Sequence, residues 1–516
     1  MQERYFPIGI QSFEQLRKYN AIYVDKTALI YRLVSTGRYY FFSRPRRFGK
    51  SLLVSTLAAY FEGRKDLFDG LRIAELEKEW VKYPVLHFSL SKKRIHSSED
   101  VGYLLDNLLT EMEQVYGRGE SPKSQYGLRM ADLVSKAQAQ TGQYVVLLFD
   151  EYDAPLLDTM NDKALFNDVR QQMRDFFSPI KDLDGKLRFV FITGISKFSQ
   201  LSIFSELNNL TTITMNSEFA AICGITKEEL VEQLKPEIEV MAEKLGISTK
   251  TVVQRLRKKY DGYHFTEDSP DIFNPFSLLS SLREKKFKNY WYSTGTPTHV
   301  TEMLANYTIR PEELDGFPAG EMDFNVAFEF AETPIPILYQ SGYLTIKQFD
   351  GYDYVLGFPN EEVRVSFLKG LVPYYTKKTA TENNSAIQKT LRAIRNHDVD
   401  TALTLLRSFF SSIPYDAEKQ DENHYKTIFY LIFRLASEYC VRTEERSAAG
   451  RCDALIETED TIYVFEFKLD GTAEEALKQI DDKGYAIQYE AGDKKIVKVG
   501  VNFENDKRTI ERWVIG

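Results

Sequence analysis

The sequence predicts an α/β protein of several domains, and three observations predict it. The first ~215 residues alternate continuous apolar runs with helical patterns, the pattern of a parallel sheet covered by helices on both faces. Residues 216–375 are less regular and mix helices with aromatic turns. Beyond a polar stretch, TKKTATENNSA (376–386), residues 387–516 begin as amphipathic helices and continue as strands. The expected domains are 1–215, 216–375 and 387–516, with 376–386 as a linker. A chain of 516 residues suits roughly three domains at ~150 residues each.

Four strands are expected in the first region: RYYFFS (38–43), YPVLHFSL (83–90), YVVLLFD (144–150) and LRFVFITGI (187–195). Helical segments separate them, among them 51–61, 101–116 and 168–177. The middle carries KEELVEQLKPEIEVMAEKLG (227–246) and two aromatic turns, YDGYHF (260–265) and FNPFSLL (273–279). The last region reads as a helix (422–440), two strands flanking Thr458–Thr461, a helix (473–486) and a strand (494–503). A further strand is expected near 439–443, ahead of the hairpin.

Composition narrows the class. Apolar content is 43% and charged content 27%, both ordinary for a globular protein. Net charge is −9, so the whole chain is not a general nucleic-acid binder, although a local basic groove remains open. The three cysteines, Cys223, Cys440 and Cys452, form no CxxC pair, which argues against a disulfide framework and a cysteine zinc site. The opening residues hold no apolar signal core, and no run reaches ~18 apolar residues. The expectation is a cytoplasmic protein with no membrane partner.

The first site candidate is FFSRPRRFGKSLLVS (41–55). A phosphate loop usually reads Gly, four residues, Gly-Lys-Ser/Thr. Here Gly49-Lys50-Ser51 is intact, but Arg44 stands where the first glycine belongs. A strand runs into the loop and a helix leaves it, so backbone N–H groups and the helix dipole face an anion. Lys50 would reach the β- and γ-phosphates, and the Ser51 hydroxyl would ligate Mg²⁺. Arg44, Arg46 and Arg47 add positive charge, and Gly49 admits a close backbone approach beside Phe48. The plain alternative is a basic turn before an ordinary helix. A second signal counts against it: YVVLLFDEYDAPL (144–156) is an apolar strand ending in Asp150-Glu151. A strand next to the loop strand would put Asp150 near the metal and let Glu151 deprotonate the attacking water. Thr193-Gly194 and Ser196-Lys197 end the later strand, where a polar group would sense the γ-phosphate or simply form a turn.

The second candidate is GRCDALIETEDTIYVFEFKLD (450–470). If the hairpin centres between Glu459 and Asp460, Asp453 falls opposite Glu466, with Cβ atoms about 5 Å apart. Lys468 shares their face, while Phe465 and Phe467 point the other way into a core. Two such carboxylates repel unless a cation lies between them, and oxygen ligands suit Mg²⁺ or Mn²⁺. Lys468 would then orient a nucleophile or neutralise charge. The plain alternative is an exposed strand face on which Lys468 pairs with its acidic neighbours. Glu422, one turn ahead of Tyr425 on the preceding helix, is a candidate third carboxylate.

Two resemblances follow. YVDKT (23–27), RPRRFGKSL (44–52), LLFDEYDAPL (147–156) and TGISKFS (193–199) resemble the bacterial AAA-ATPase-like family, in which arginine in place of the first glycine is usual. YDGYHF, FNPFSLL and STGTP (293–297) match its downstream region, so the resemblance covers about 5–375. It implies a phosphate-loop NTPase core, ATP as ligand and a helical, winged-helix-like extension. ENHYKTIFYLIF, GRCDALIE, FEFKLDG and ALKQIDDKGYA resemble the PD-(D/E)XK nuclease superfamily over about 405–505. That likeness implies a restriction-endonuclease-like α/β domain in which Asp453 and Glu466 bind metal, Lys468 is catalytic and Glu422 assists. Gln479 and Tyr485 in ALKQIDDKGYA also match, and the likeness places Gln479 at DNA or the active site. Cys452 replaces the proline usual before the first aspartate.

Other candidates are weaker. His264 and His424 have no second histidine at ligand spacing. Arg46 or Arg47 would serve as an arginine finger, or more simply stay beside the phosphates. KKFKNYWY (285–292) mixes basic and aromatic residues in a way that suits a nucleic-acid strand or a packed helix end. The function expected is ATP binding and hydrolysis coupled to metal-dependent cleavage of nucleic acid, DNA foremost, in a chain open to homo-oligomerisation. The alternative is an ATP-dependent regulatory switch whose nuclease-like part only binds nucleic acid or protein.

Overall fold

The computed structural model describes residues 4–197, 209–291, 310–328, 331–376, 378–413, 427–428, 430–432, 434–435, 440–447, 450–469, 471–490, 492–504 and 509–516. Glu422 and His424 lie outside them, as do 293–297 and the end of TGISKFS. The chain forms two compact units, one of residues 1–295 with 318–360, the other of 296–317 with 361–516.

The first unit is built on a five-stranded sheet of β1 (Tyr39–Ser43), β2 (Val85–Ser89), β3 (Val145–Asp150), β4 (Leu187–Gly194) and β5 (Thr211–Thr212). Its order is β2-β3-β4-β1-β5, and every pair is parallel. All of β1 and β3 is buried, which explains why these strands read as unbroken apolar runs. The four strands expected from sequence are all present. Their order corrects one expectation: β4 lies between β1 and β3, so Asp150 sits one strand further from the loop strand than a direct neighbour would.

The middle is helical. Residues 227–246 form two helices, Lys227–Gln233 and Lys235–Leu245, because Pro236 starts a new helix rather than continuing the old one. Thr226 and Glu229 close a capping box on the first. Short strands β6 (Ile225–Thr226) and β7 (Ile272–Phe273) pair antiparallel. A second small sheet holds β8 (Phe317–Ala319), β9 (Thr345–Phe349) and β10 (Tyr354–Gly357) in the order β8-β10-β9.

In the second unit, the stretch expected as a linker is helical. One helix ends at Thr376, and Thr379 with Glu382 closes a capping box that starts the next, Ala380–Arg395. Thr381, Glu382, Asn384 and Ser385 lie on that helix's exposed side, whereas Asn383 is buried and accepts from the Thr376 hydroxyl at 3.0 Å, and Ile387, Leu391 and Ile394 are buried at helical spacing. The sheet contains β11 (Cys440–Ser447), β12 (Gly450–Glu457), β13 (Thr461–Leu469), β14 (Lys495–Glu504) and β15 (Thr509–Ile515), in sequence order. β11, overlapping the expected 439–443, is the additional strand. β13 and β14 are parallel, joined across the helix Ala473–Asp482. No helix among the described residues is long and apolar enough to cross a membrane.

Candidate active sites

Gly49 caps the helix Lys50–Phe61 at φ +93°, a conformation that side-chain-bearing residues rarely adopt. The helix start therefore faces the C-terminal ends of β1, β3 and β4, where ligands of open parallel sheets bind. Lys50 is buried, and its Nζ curls back to donate to the carbonyls of Arg44 (2.8 Å) and Pro45 (3.0 Å). Burial pushes its pKa down, while the charges of Asp153, Asp150 and Glu151 pull it up.

Asp150 ends β3 and is 4% exposed. The Ser51 side chain hydrogen-bonds it, which ties the loop helix to the acidic strand end. Burial raises the Asp150 pKa to about 6, with Glu151 adding to the rise and Ser51 and Lys50 opposing it. Its Oδ1 is buried without a hydrogen-bond partner. A buried carboxylate oxygen left open beside a serine hydroxyl suits a hard cation such as Mg²⁺. Glu151 is half-buried at φ +51°, a strained conformation that turns it out of the strand line.

At the end of β4, Thr193 is fully buried with Oγ1 unpartnered. Asp153, absent from the expected set, organises this corner. It accepts from the backbone N–H of Ile195 (2.9 Å) and Ser196 (2.7 Å) and from the Ser196 hydroxyl (2.6 Å). Gly194 leaves room for it, since a Cβ there would come within 2.6 Å of Asp153 Oδ1. The signal lay in DEYD, whose second aspartate is two residues past Glu151.

Arg44 departs from expectation. Its guanidinium turns away from the helix start and donates to the carbonyls of Ser43 (3.0 Å), Thr214 (2.7 Å) and Ala220 (3.3 Å). It also lies over the rings of Phe265 (3.9 Å) and Phe42 (4.6 Å). At 1% exposure it is a packing residue, and burial lowers its pKa to about 10. Backbone carbonyls and ring faces compensate the buried charge. Phe48 is likewise buried, edge-on to Tyr263 and Phe265. Arg46 and Arg47 stay exposed on the rim, with Arg47 stacked on Phe276 at 4.9 Å. Sequence also gave no sign of the buried Lys26–Glu229 ion pair (2.5 Å), which borders an apolar cavity lined in part by Tyr23, Phe48, Gly49 and Ile225.

In the second unit, the hairpin register runs from Ala454↔Phe465 to Glu457↔Ile462, which continues to Asp453 opposite Glu466. Asp453 Oδ2 accepts the backbone N–H of Phe467 at 2.8 Å. Glu466 is 2% exposed, and Lys468 Nζ lies 3.6 Å from its Oε1. Gln479, from the helix Ala473–Asp482, joins the two: Lys468 Nζ donates to its Oε1 at 2.6 Å, and its Nε2 donates to Glu466. Tyr485 closes the group, accepting from Gln479 Nε2 at 3.4 Å. Burial, and then the nearby Glu466 and Asp453, raise the Tyr485 pKa. Phe465 and Phe467 pack on the opposite face, Phe467 against Phe503. Two carboxylates on one hairpin face are hard oxygen donors that fit Mg²⁺ or Mn²⁺. Among the described residues no group of three or more His, Cys, Asp or Glu converges as a metal cluster.

Comparisons with known proteins agree with this division. A family model described as a predicted AAA-ATPase matches residues 7–204. One described as the PD-(D/E)XK nuclease superfamily matches residues 420–513. A protein of Azotobacter chroococcum mcd 1, described as an uncharacterized protein in the vnfD 5′ region, is 34% identical over 528 residues, spanning 100% of this chain and 99% of its own.

Proposed function

Because this chain belongs to the family of that Azotobacter protein and joins an AAA-ATPase-like domain to a PD-(D/E)XK nuclease-superfamily domain, we propose that it hydrolyses ATP and cuts DNA under nucleotide control. The observation that carries the reading is the presence of two complementary donor sets in one chain. Lys50, Ser51 and Asp150 meet at a helix start, and Asp453, Glu466, Lys468 and Gln479 meet on one sheet face.

In the first site the backbone N–H groups of the helix start and Lys50 hold phosphate oxygens. Ser51 and Asp150 would hold Mg²⁺. Glu151, freed from the strand line by its positive φ, orients the attacking water and takes its proton. In the second site Asp453 and Glu466 would hold the divalent ion. Bound there, it supplies charge to a crowded phosphate and acidifies water. Lys468 sits beside Glu466 to orient the nucleophile, and Gln479 fixes both side chains in place. A place in defence or mobile-element biology rests on analogy with the domain pairing alone.

The test is a cleavage assay on plasmid, linear and single-stranded DNA, with Mg²⁺ or Mn²⁺ and with or without ATP. Metal-dependent cutting that disappears in Lys468→Ala supports the nuclease, and a changed response to ATP in Lys50→Ala supports nucleotide control. ATP hydrolysis with no cutting under any condition overturns the nuclease half.

A further inference from the structure

The phosphate loop is gripped by residues more than two hundred positions further along the chain. Arg44 lies over Phe265, and Phe48 meets Tyr263 and Phe265 edge-on at 4.8 and 5.5 Å. Pro45 abuts Gly342, where an added Cβ would sit 2.6 Å from Pro45 Cβ. The end of β4 reaches the same region by another route. The backbone N–H of Lys197 donates to Gln340 Oε1 at 2.7 Å, and its Nζ donates to Asn325 Oδ1 at 2.5 Å. Gln340 in turn donates to the carbonyls of Phe324 and Val326.

These two contact zones form one block. The N–H of His264 donates to Thr345 Oγ1, and that hydroxyl donates to the carbonyl of His264, both at 2.8 Å. Gly262 lies so close to Pro359 that a Cβ would come within 2.3 Å of its carbonyl oxygen. The block therefore touches both β1's loop and the end of β4, the two strands bordering the candidate phosphate site.

The contacts start at residues tied to that site. Lys50 Nζ donates to the carbonyls of Arg44 and Pro45, the two residues pressed against Phe265 and Gly342. Asp153 holds Ser196, the residue before Lys197. A shift of Lys50 or of the β4 end thus moves groups that are already in van der Waals or hydrogen-bond contact with the block. Close-packed contacts of this kind pass displacement on rather than absorbing it.

We propose that Arg44 and Lys197 are positioning residues that transmit nucleotide occupancy from the phosphate loop and the β4 end to the block of residues 262–265, 324–328 and 335–345. The proposal rests on the nucleotide reading of Lys50 and goes beyond it by naming the route out of the site. Arg44 is then retained in place of glycine because it links the loop to Phe265, which a glycine cannot do.

Hydrogen exchange on the full-length chain, with and without a non-hydrolysable ATP analogue and Mg²⁺, tests it. In the wild type the analogue is expected to change protection at 260–273 and 335–345. In Phe265→Leu and Asn325→Ala, which cut the two links from the side of the block, analogue affinity should stay within about threefold, while the response at those segments falls by half or more. A role in folding alone would lower protection equally with and without the analogue. Binding with unresponsive segments in the wild type, or with equal responses in both variants, overturns the route and leaves the nucleotide site standing. No binding by the wild type overturns the nucleotide reading, and the route with it.

Discussion

Gly500 lies directly beside Glu466 in the parallel pairing of β13 and β14, and its missing side chain brings Gln479 into the second site. A Cβ at 500 would fall 2.1 Å from the carbonyl oxygen of Ala473 and 2.5 Å from the N of Leu477. The helix Ala473–Asp482 can sit this low on the sheet only over glycine, and Gln479 on that helix bridges Glu466 and Lys468.

Gly500→Ala should therefore damage the site without touching a polar residue in it. Overpacking typically costs about 1–3 kcal/mol. The C-terminal unit is expected to unfold at lower denaturant, and cleavage to fall about tenfold or more as Gln479 lifts away. Unchanged cleavage with normal stability would show that the helix position does not matter to the site.

Arg44→Gly restores the glycine usual in a phosphate loop, yet it should weaken the protein. It removes the donor to three buried carbonyls and opens a void beneath Phe265. A loss of about 2–5 kcal/mol is expected from a buried large-to-small change of this kind. Denaturant unfolding of the variant measures it, and a gain in stability would mean that Arg44 is not the pin described above.

Much of this was legible in the sequence, for physical reasons. In the first sheet β1 and β3 are buried along their whole length and β4 nearly so, so each reads as a mostly apolar run that is not mistaken for a solvated strand, while β2 alternates buried and half-buried positions. The hairpin of β12 and β13 has a clear turn, and its register follows from where that turn centres. The role of Arg44 was not legible, because sequence shows a charge but not the direction in which its side chain turns. The order of β3 and β4 was not legible, because buried strands look alike whichever neighbour they choose. TKKTATENNSA reads as a linker because it holds almost no apolar residues, yet Thr379-x-x-Glu382 is a capping signature and the buried Asn383 is satisfied by Thr376 and Lys378 rather than by apolar packing.

Asp261 gives a pH signature. It is 4% exposed, and burial, aided by the charge of Asp271, raises its pKa to about 6 against the N–H of Gly262 and the Arg257 side chain. The folded state then holds this proton more tightly than the unfolded chain, whose aspartate titrates near ~3.9. The penalty is absent below pH ~4, grows as pH rises through that interval and is complete above ~6. Asp261→Asn should be more stable than wild type by about 1–3 kcal/mol at neutral pH, with the gap closing near pH ~4. Urea unfolding at the two pH values measures the gap, and a gap independent of pH would refute the assignment.

The two lysines should separate the two chemistries. Lys50→Ala removes the ammonium that donates to Arg44 and Pro45 and faces Asp150, and it should lower ATP turnover by about 10²-fold or more while leaving metal binding by the second unit intact. Lys468→Ala should do the reverse, leaving ATP turnover intact while cleavage falls by about 10²–10⁴-fold. Chelation of divalent ions should abolish both activities, and restoring Mg²⁺ or Mn²⁺ should return them. If Asp453→Ala and Lys468→Ala leave every cellular phenotype unchanged while Lys50→Ala abolishes it, the second unit acts as a binding module and the regulatory-switch reading replaces the nuclease.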